Sequence, residues 1–190
     1  MTLVDDGRVR CDWASGTSEL YRDYHDHEWG RPLRGSGALF ERITLEAFQS
    51  GLSWLTILRK RENFRNAFHG FDIERVAGYG DADIERLMAD AGIVRNRAKI
   101  AATIANARAV AALDVDLSDL LWSFAPANRA RPLAMADVPA ITPESAAMAR
   151  DLKRRGFKFV GPTTAYALMQ ATGMVDDHLK ACWVTTSERR

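Results

Sequence analysis

The stretch TPESAAMARDLKRRGFKFVGPTTAYALMQATG, residues 142–173, holds two helix signals separated by a short turn that is bounded by glycines. Its opening Thr-Pro pair is typical of a helix start, and Gly156 is typical of the residue just past a helix end. A second apolar run follows Gly161 and stops at the next glycine. The stretch therefore predicts a helix, a hairpin and a second helix over about residues 143–173.

The hairpin has two interpretations on composition alone. Gly156 and Gly161 would let the backbone approach a partner closely, and the amides at the start of the second helix could hold a phosphate oxygen. The alternative is an ordinary turn between helices, with a solvated basic helix end where positive charge is favourable anyway. Four basic residues lie beside the hairpin and would attract a DNA backbone in the first interpretation: Lys153, Arg154, Arg155 and Lys158.

Helical periodicity also dominates the rest of the chain. The run GALFERITLEAFQSGLSWLTILRKREN places apolar or small residues on one stripe, and RAKIAATIANARAVAAL repeats the pattern. DADIERLMADAG predicts a helix capped by Asp81, and DDHLKACW predicts a last short helix. Loops are expected near residues 30–38 and 125–143, and period-two alternation is absent. We therefore expect an all-α fold. The first stripe is formed by Phe40, Ile43, Ala47 and Gly51.

Size and composition indicate one globular domain over residues 1–190. The chain is 47% hydrophobic and 27% charged, and no apolar run approaches the ~20 residues of a membrane span. The opening MTLVDDGRVRCDW is too polar for a secretory signal, so the cytoplasm is the expected location and no membrane partner is expected. Because the net charge is only +1, a nucleic-acid surface would have to be a local patch.

The cysteines and histidines could form a metal site. His178 and Cys182 would share one face of a helix, and Cys11 lies near the opposite end of the chain. With either His25 or His27 they complete a Cys₂His₂ set suited to structural zinc. The alternative is two buried thiols with ordinary hydrogen-bonded histidines.

A cluster of aromatic residues near the N-terminus allows a pocket for a flat heterocycle, although most such clusters are plain core. Glu46 lies in an apolar segment, where a buried carboxylate needs a donor such as the amine of a purine. It could instead lie at the rim of its helix and face water. The aromatic residues are Trp13, Tyr21, Tyr24, Trp29 and Trp54.

Several strings, taken together and in order, resemble the 3-methyladenine DNA glycosylase I family of the helix–hairpin–helix glycosylase superfamily. They are RCDW, YHDHEWG, LFERITLEAFQSGLSWLTILRKREN, DAGIVRNRAKI, WSF, LKRRGFKFVG and DHLKAC, and they span nearly the whole chain. The resemblance implies a monofunctional enzyme that releases 3-methyladenine from alkylated double-stranded DNA, in base excision repair. A protein that wraps a duplex in this way needs no second subunit, so a monomer is expected.

The resemblance also implies roles for particular residues. One structural Zn²⁺ per chain would join the termini. The base would stack on the aromatic rings while Glu46 recognises its edge, and Gly51 and Leu52 would fill the gap left by the flipped nucleotide. The hairpin at residues 156–161 would clamp the DNA backbone. The zinc ligands implied are Cys11, His25, His178 and Cys182.

Two positions bear on the reaction. Thr163 stands where related glycosylase-lyases carry a Schiff-base lysine, so no lyase activity is expected. Asp176 departs from the asparagine typical of the resembled family. It either caps the last helix or stabilises positive charge on the sugar and widens the range of excised bases. A different class of function, a zinc-stapled module that binds DNA without catalysis, stays open from the sequence.

Overall fold

The computed structural model describes residues 6–15, 18–127 and 130–185. In those ranges every regular element is helical, which confirms the all-α prediction, and no helix there is long and apolar enough to cross a bilayer. The α-helices are α1 Glu19–His27, α2 Ser36–Gln49, α3 Trp54–Ala67, α4 Ile73–Ala77, α5 Asp81–Ala89, α6 Arg97–Ala111, α7 Leu117–Trp122, α8 Pro143–Arg154 and α9 Pro162–Ala171, with single 3₁₀ turns at Asp12–Ala14, His69–Phe71 and Met135–Asp137.

The core is built around α2, which is buried on almost every side by α3, α6, α7 and α9. A helix surrounded in this way is expected to be apolar all round. Phe48 of α2 meets Phe64 of α3 with ring centroids 4.8 Å apart, and further phenylalanines continue the packing. Against that background the two buried charged residues of α2, Arg42 and Glu46, require a separate explanation.

The stripe predicted through Gly51 does not continue as helix. α2 ends at Gln49, and Gly51 has a φ of 82°, which only glycine adopts without strain. A new helix then starts at Trp54, where the Ser53 side chain accepts a hydrogen bond from the backbone N–H of Thr56 at 3.2 Å. The result is a short exposed loop between α2 and α3.

The two helices around the predicted hairpin lie where the sequence places them. The Thr142 side chain accepts a hydrogen bond from the N–H of Ser145, Pro143 opens α8, and Gly156 follows its end with a φ of 94°. Phe157 and Val160 turn inward, so the turn is fixed to the core while Lys158 and Phe159 are exposed. α8 and α9 pack against each other.

The predicted last helix at DDHLKACW is wrong, because this segment forms turns. α9 ends at Ala171, and the side chains that follow bind tertiary partners. The Asp177 carboxylate accepts a hydrogen bond from the Tyr166 hydroxyl at 2.6 Å. The N–H of Trp183 donates to the carbonyl of Val9 at 2.8 Å, so the C-terminal segment runs beside the N-terminal one.

Two smaller expectations are also corrected. Asp81 is the first residue of α5 and not its cap, which is Gly80. The loop expected near residues 30–38 is shorter, because α2 already begins at Ser36. The long loop near residues 125–143 is present, broken only by one 3₁₀ turn in its described part.

Candidate active site

A cavity of about 270 Å³ opens between α1, α2, α3 and α9. Its walls bring together all five aromatic residues singled out in the sequence, together with Glu46. The lining residues are Trp13, Tyr21, Tyr24, Trp29, Glu46, Gln49, Trp54, Met135, Ala167 and Gln170.

The aromatic rings lie against one another and form continuous walls. Trp13 contacts Tyr21 with ring centroids 4.9 Å apart and meets Trp29 edge-on at 5.1 Å. Tyr24 and Trp54 are 5.5 Å apart on another wall. Such an arrangement presents ring faces and edges to any flat group that enters.

Glu46 is the acid of this cavity and is only 5% exposed. Burial raises the pKa of its carboxyl to about 7, and the positive charge of Arg42 opposes that rise. Among the described residues, none donates a hydrogen bond to the carboxylate. A buried carboxylate without a donor is costly, so the site favours a ligand that brings one.

Arg42 and Tyr24 lie directly behind this acid. Nη1 of Arg42 donates to the Tyr24 hydroxyl at 3.0 Å, and its Nη2 lies 3.6 Å from Oε2 of Glu28. Arg61 holds the same Glu28 through two hydrogen bonds of 2.5 and 2.8 Å. The back of the cavity is therefore a compact set of paired charges.

Sequence reasoning missed four lining residues. Gln49 lies three positions after Glu46, and helical spacing could have identified it. Ala167 and Gln170 share a face of α9 for the same reason, and the Gln170 side chain is held by a 2.8 Å hydrogen bond to Asp177. Met135 reaches the cavity from the long loop, where no sequence signal indicates it.

The cysteines and two of the histidines meet in one buried cluster. The ligand atoms of Cys11, His25, His178 and Cys182 all lie within 4.8 Å of one another. The Cys182 Sγ atom is 3.6 Å from Nε2 of His25 and from Nδ1 of His178. A tetrahedral zinc with Zn–S of about 2.3 Å and Zn–N of about 2.0 Å separates S and N ligands by about 3.5 Å, close to the distances seen here.

Hydrogen bonds to the far ring nitrogens orient both imidazoles. Nδ1 of His25 pairs with Oδ1 of Asp26 at 2.8 Å, and Nε2 of His178 pairs with the carbonyl of Trp29 at 3.0 Å. These contacts leave the other nitrogen of each ring as a lone-pair donor toward the thiols, as metal-ligating histidines require. His27, whose side chain is 61% exposed, lies outside the cluster.

The Cys182 thiol also suits a cation. Its hydrogen bond with Cys11 lowers the pKa of Cys182 and raises the pKa of Cys11, and the N–H of Leu179 donates to the Cys11 sulfur at 3.3 Å. Thiolate is the form that binds zinc. The donor set and its hydrogen-bond support therefore fit a structural zinc with four protein ligands.

The cluster of two cysteines and two histidines shares a wall with the cavity. Trp13 contacts the ring of His25 with centroids 5.0 Å apart, and Trp29 contacts the ring of His178 at 4.7 Å. Both tryptophans also line the cavity. The shape of the cavity thus depends on the position of the two histidines.

The residues expected to touch DNA lie on two exposed turns and at the C-terminal end of α8. Leu52 is 41% exposed beside Gly51 in the loop between α2 and α3. Lys99 of α6 fixes the start of that loop, because its buried Nζ donates to the carbonyls of Phe48 and Ser50 at 2.9 and 2.6 Å. The second turn is the hairpin that contains Gly156, Lys158 and Gly161.

The four basic residues near the hairpin are not equivalent. Arg154 and Arg155 both pair with Asp151, and Arg155 also contacts Asp114 at 3.3 Å. Lys153 and Lys158 are exposed. The sequence alone did not separate the two arginines, with their intramolecular partners, from the two lysines.

Asp176 lies outside the cavity lining. Its Oδ2 accepts a 2.8 Å hydrogen bond from Nε of Arg131, and its Oδ1 accepts from the N–H of His178 at 3.3 Å. It caps a turn and not a helix, since residues 177–185, the last that the structure describes, form no helix. Thr163 lies exposed in the first turn of α9.

An all-helical scaffold with a buried acid in an aromatic cavity, beside an exposed hairpin that carries Lys158, suits a protein that holds a flat base outside the duplex. The sequence model of the family described as methyladenine glycosylase matches residues 13–185. This chain belongs to that family.

Individual relatives agree over nearly the whole chain. DNA-3-methyladenine glycosylase 1 of Escherichia coli K12 is 47% identical over 178 residues, which cover 91% of this chain and 95% of that protein. DNA-3-methyladenine glycosylase of Haemophilus influenzae is 45% identical over 187 residues, covering 94% and 99%. A crystal structure of 3-methyladenine DNA glycosylase I superposes with a TM-score of 0.89 at 47% identity, covering 92% of this chain and 98% of that one.

Proposed function

We propose that this protein is a monofunctional DNA glycosylase that hydrolyses the N-glycosidic bond of 3-methyladenine in alkylated double-stranded DNA, in base excision repair. The observation that carries the proposal is the buried carboxylate of Glu46, which has no described donor and stands in an aromatic cavity. The names of the relatives, all 3-methyladenine glycosylases, point to the same substrate.

The cavity suits this base in charge and in hydrogen bonding. A 3-methyladenine still attached to the sugar carries positive charge, which the electron-rich ring faces and the Glu46 carboxylate both attract. The 6-amino group of adenine donates a hydrogen bond, whereas guanine presents the acceptor O6 at that position. A carboxylate there therefore favours adenine and repels guanine.

The same charge explains why the chemistry needs little assistance. When the glycosidic bond breaks, its electron pair passes to the cationic base, which leaves as a neutral molecule. No acid is needed to protonate the leaving group. Water adds to the anomeric carbon and releases one proton to the solvent, which leaves a hydroxyl on the abasic sugar. Thr163 offers no amine for a Schiff base, so the product is an abasic site and not a cleaved strand.

DNA would be held at the two exposed turns. Leu52, beside Gly51, would enter the duplex where the base has left the stack. The hairpin would bind the backbone through the amides around Gly161 and through Lys153 and Lys158. Arg154 and Arg155 would contribute less, because Asp151 already neutralises part of their charge.

Zinc would have a structural part. Cys11, His25, His178 and Cys182 would hold one ion per chain and tie the two terminal segments together. A site with four protein ligands supplies stability and no open position for an activated water. Because one chain contains the whole cavity, we expect the enzyme to act as a monomer. We also expect it to act in the cytoplasm.

The decisive experiment is base release from methylated duplex DNA, with products separated by chromatography. Wild type should release 3-methyladenine, and Glu46→Gln should lose at least about 100-fold in rate, since both charge and acceptor are weakened. Duplex affinity should be kept in the variant. Binding without release by the wild type would contradict the proposal and leave a zinc-stapled DNA-binding module.

A companion variant tests the range of bases. In the structure Asp176 is engaged by Arg131 and by the N–H of His178, so Asp176→Asn should leave the released bases unchanged. Loss of one particular alkylated base in that variant would instead give Asp176 a part in the reaction.

A further inference from the structure

Arg42 is a charged side chain in the central helix and is not itself a cavity-lining residue. It is 8% exposed and lies one helical turn before Glu46. Its guanidinium lies 5.5 Å from the ring centroid of Tyr24 and 5.3 Å from that of Trp54, so it contacts the cavity walls from behind. A buried guanidinium needs specific partners to offset its lost hydration.

The hydrogen bond from Arg42 restricts the Tyr24 hydroxyl. A tyrosine hydroxyl has one proton and can also accept, whereas arginine has donors only. Nη1 of Arg42 donates to the Tyr24 oxygen at 3.0 Å, so the hydroxyl acts as the acceptor in that hydrogen bond and its own proton is not used there. No described residue accepts that proton, and Tyr24 lines the cavity.

We propose that Arg42 is a positioning residue for base binding: it occupies the acceptor side of the Tyr24 hydroxyl and so directs that hydroxyl's proton into the cavity, beside the Glu46 carboxylate. A donor and an acceptor then stand side by side. Adenine is complementary to such a pair, because N7 accepts and the adjacent 6-amino group donates. This inference rests on the proposed function, since it deepens the recognition of the same base.

The ion pair behind Arg42 keeps this geometry rigid. Glu28 lies 3.6 Å from Nη2 of Arg42 and is itself held by both terminal nitrogens of Arg61. Without Arg42 the Tyr24 hydroxyl would rotate freely, and its proton could turn to the Glu46 carboxylate. The cavity would then lose a donor and weaken its acceptor in one step.

Arg42 also acts on Glu46 through its charge. Burial raises the pKa of Glu46 to about 7 and Arg42 opposes this, so removal of Arg42 should raise the pKa further. The neighbouring groups on α3 and α9, Trp54 and Gln170, are neutral. The titratable and charged groups facing this acid are Tyr21 and Tyr24 from α1, Arg42 from α2 and, beyond Arg42, Glu28.

The test compares Arg42→Met, Tyr24→Phe and the double variant in single-turnover release of 3-methyladenine at about pH 9. At that pH the Glu46 carboxyl is ionised in all of them, and the charge effect of Arg42 on its protonation drops out. Each single variant should lose about tenfold, the effect of one hydrogen bond to a partly charged site. The double variant should fall no more than about twofold below Tyr24→Phe, because both changes remove the same donor. Arg42→Lys, which keeps a donor and the charge, should recover most of the loss.

Two further measurements separate positioning from general damage. Arg65→Met removes the ion pairs of Arg65 with Glu41 and Glu62 without touching Tyr24 or Glu28, and it should stay within about twofold of wild type. In Arg42→Met, the acidic limb of the rate profile should move to higher pH by about half a unit or more, whereas Arg65→Met should leave it in place. Circular dichroism and zinc content check that each variant is folded.

The failure modes are distinct. An active wild type with an equally active Arg42→Met would overturn this inference alone. Losses that multiply in the double variant would do the same, because they would show Arg42 acting apart from Tyr24. A wild type that releases no methylated base would overturn the proposed function, and this inference with it.

Discussion

At the scale of single residues, Glu46 makes activity depend on pH near neutrality. Burial raises its pKa to about 7, so the carboxyl is protonated below that pH and loses the charge that attracts a cationic base. We expect kcat/KM to fall about tenfold per pH unit below about pH 6.5 and to level off above about pH 8. The measurement is initial release rate against pH. A profile without this acidic limb would show that another ionisation governs base capture.

Gly173 should be among the least replaceable residues. A Cβ atom there would lie 2.6 Å from the backbone carbon of Arg31 and 2.7 Å from the nitrogen of Pro32, and φ is 73°. Since backbone cannot move aside cheaply, Gly173→Ala should lower the free energy of unfolding by about 3 kcal/mol or more in urea titrations.

Gly161 is the matched control for Gly173. Its φ is −80°, and an added Cβ would meet no atom within 4 Å. Gly161→Ala should therefore keep stability within about 0.5 kcal/mol while weakening DNA binding, because the methyl group would stand where the backbone approaches the duplex. Equal stability of the two variants would contradict the argument from steric fit.

At the scale of elements, Asn106 of α6 fixes the hairpin. Its Oδ1 accepts from the N–H of Lys158 at 2.7 Å, and its Nδ2 donates to the Lys158 carbonyl at 3.1 Å. Asn106→Ala should loosen the turn and weaken duplex binding about tenfold, while affinity for free 3-methyladenine changes little. Asn66→Ala, an exposed change on α3, serves as control. A parallel loss of free-base affinity would mean that the change disturbs the core instead.

The helices and their limits were predictable where a local cause sets them. Thr142 and Pro143 start α8, and the periodicity of residues 97–113 marks α6, because capping and apolar spacing act within a few residues. The segment after Gly173 was not predictable in this way. Its helical pattern is overridden by hydrogen bonds with Tyr166, eleven residues before Asp177, and with the N-terminal segment at the other end of the chain.

The same distinction holds for the candidate site. The aromatic residues stood out because they cluster near the N-terminus, and Glu46 stood out because a charge in an apolar run is unusual. That they assemble into one cavity could be seen only from the fold. Met135 could not be found from the sequence, since a long loop has no periodicity from which the direction of a side chain could be predicted. The ion pairs of Arg154 and Arg155 with Asp151 were readable in principle, three and four residues apart on one helix.

At the scale of the whole molecule, the four side chains of the cysteine–histidine cluster come from the two ends of the chain. Spacing could not choose between His25 and His27, because the choice depends on which imidazole faces the C-terminal segment. In the structure Asp26 orients His25 and also accepts hydrogen bonds from Arg10 at 2.8–3.1 Å. The N-terminal segment, α1 and the C-terminal turns are thus joined at one point.

Loss of that junction should disrupt the walls of the aromatic cavity as well as destabilise the fold. Trp13 contacts His25 and Trp29 contacts His178, and both tryptophans line the cavity, so displaced imidazoles would remove two of its walls. We expect Cys182→Ala to bind no zinc, to melt several degrees lower, and to lose affinity for free 3-methyladenine by at least about tenfold. His27→Ala, at the exposed neighbouring histidine, should keep one zinc, the wild-type melting temperature and full affinity. Metal analysis, thermal melting and quenching of tryptophan fluorescence by the base measure the three quantities. If Cys182→Ala lost its metal yet bound 3-methyladenine as tightly as wild type, the cavity would be independent of the junction and the shared wall would have no functional meaning.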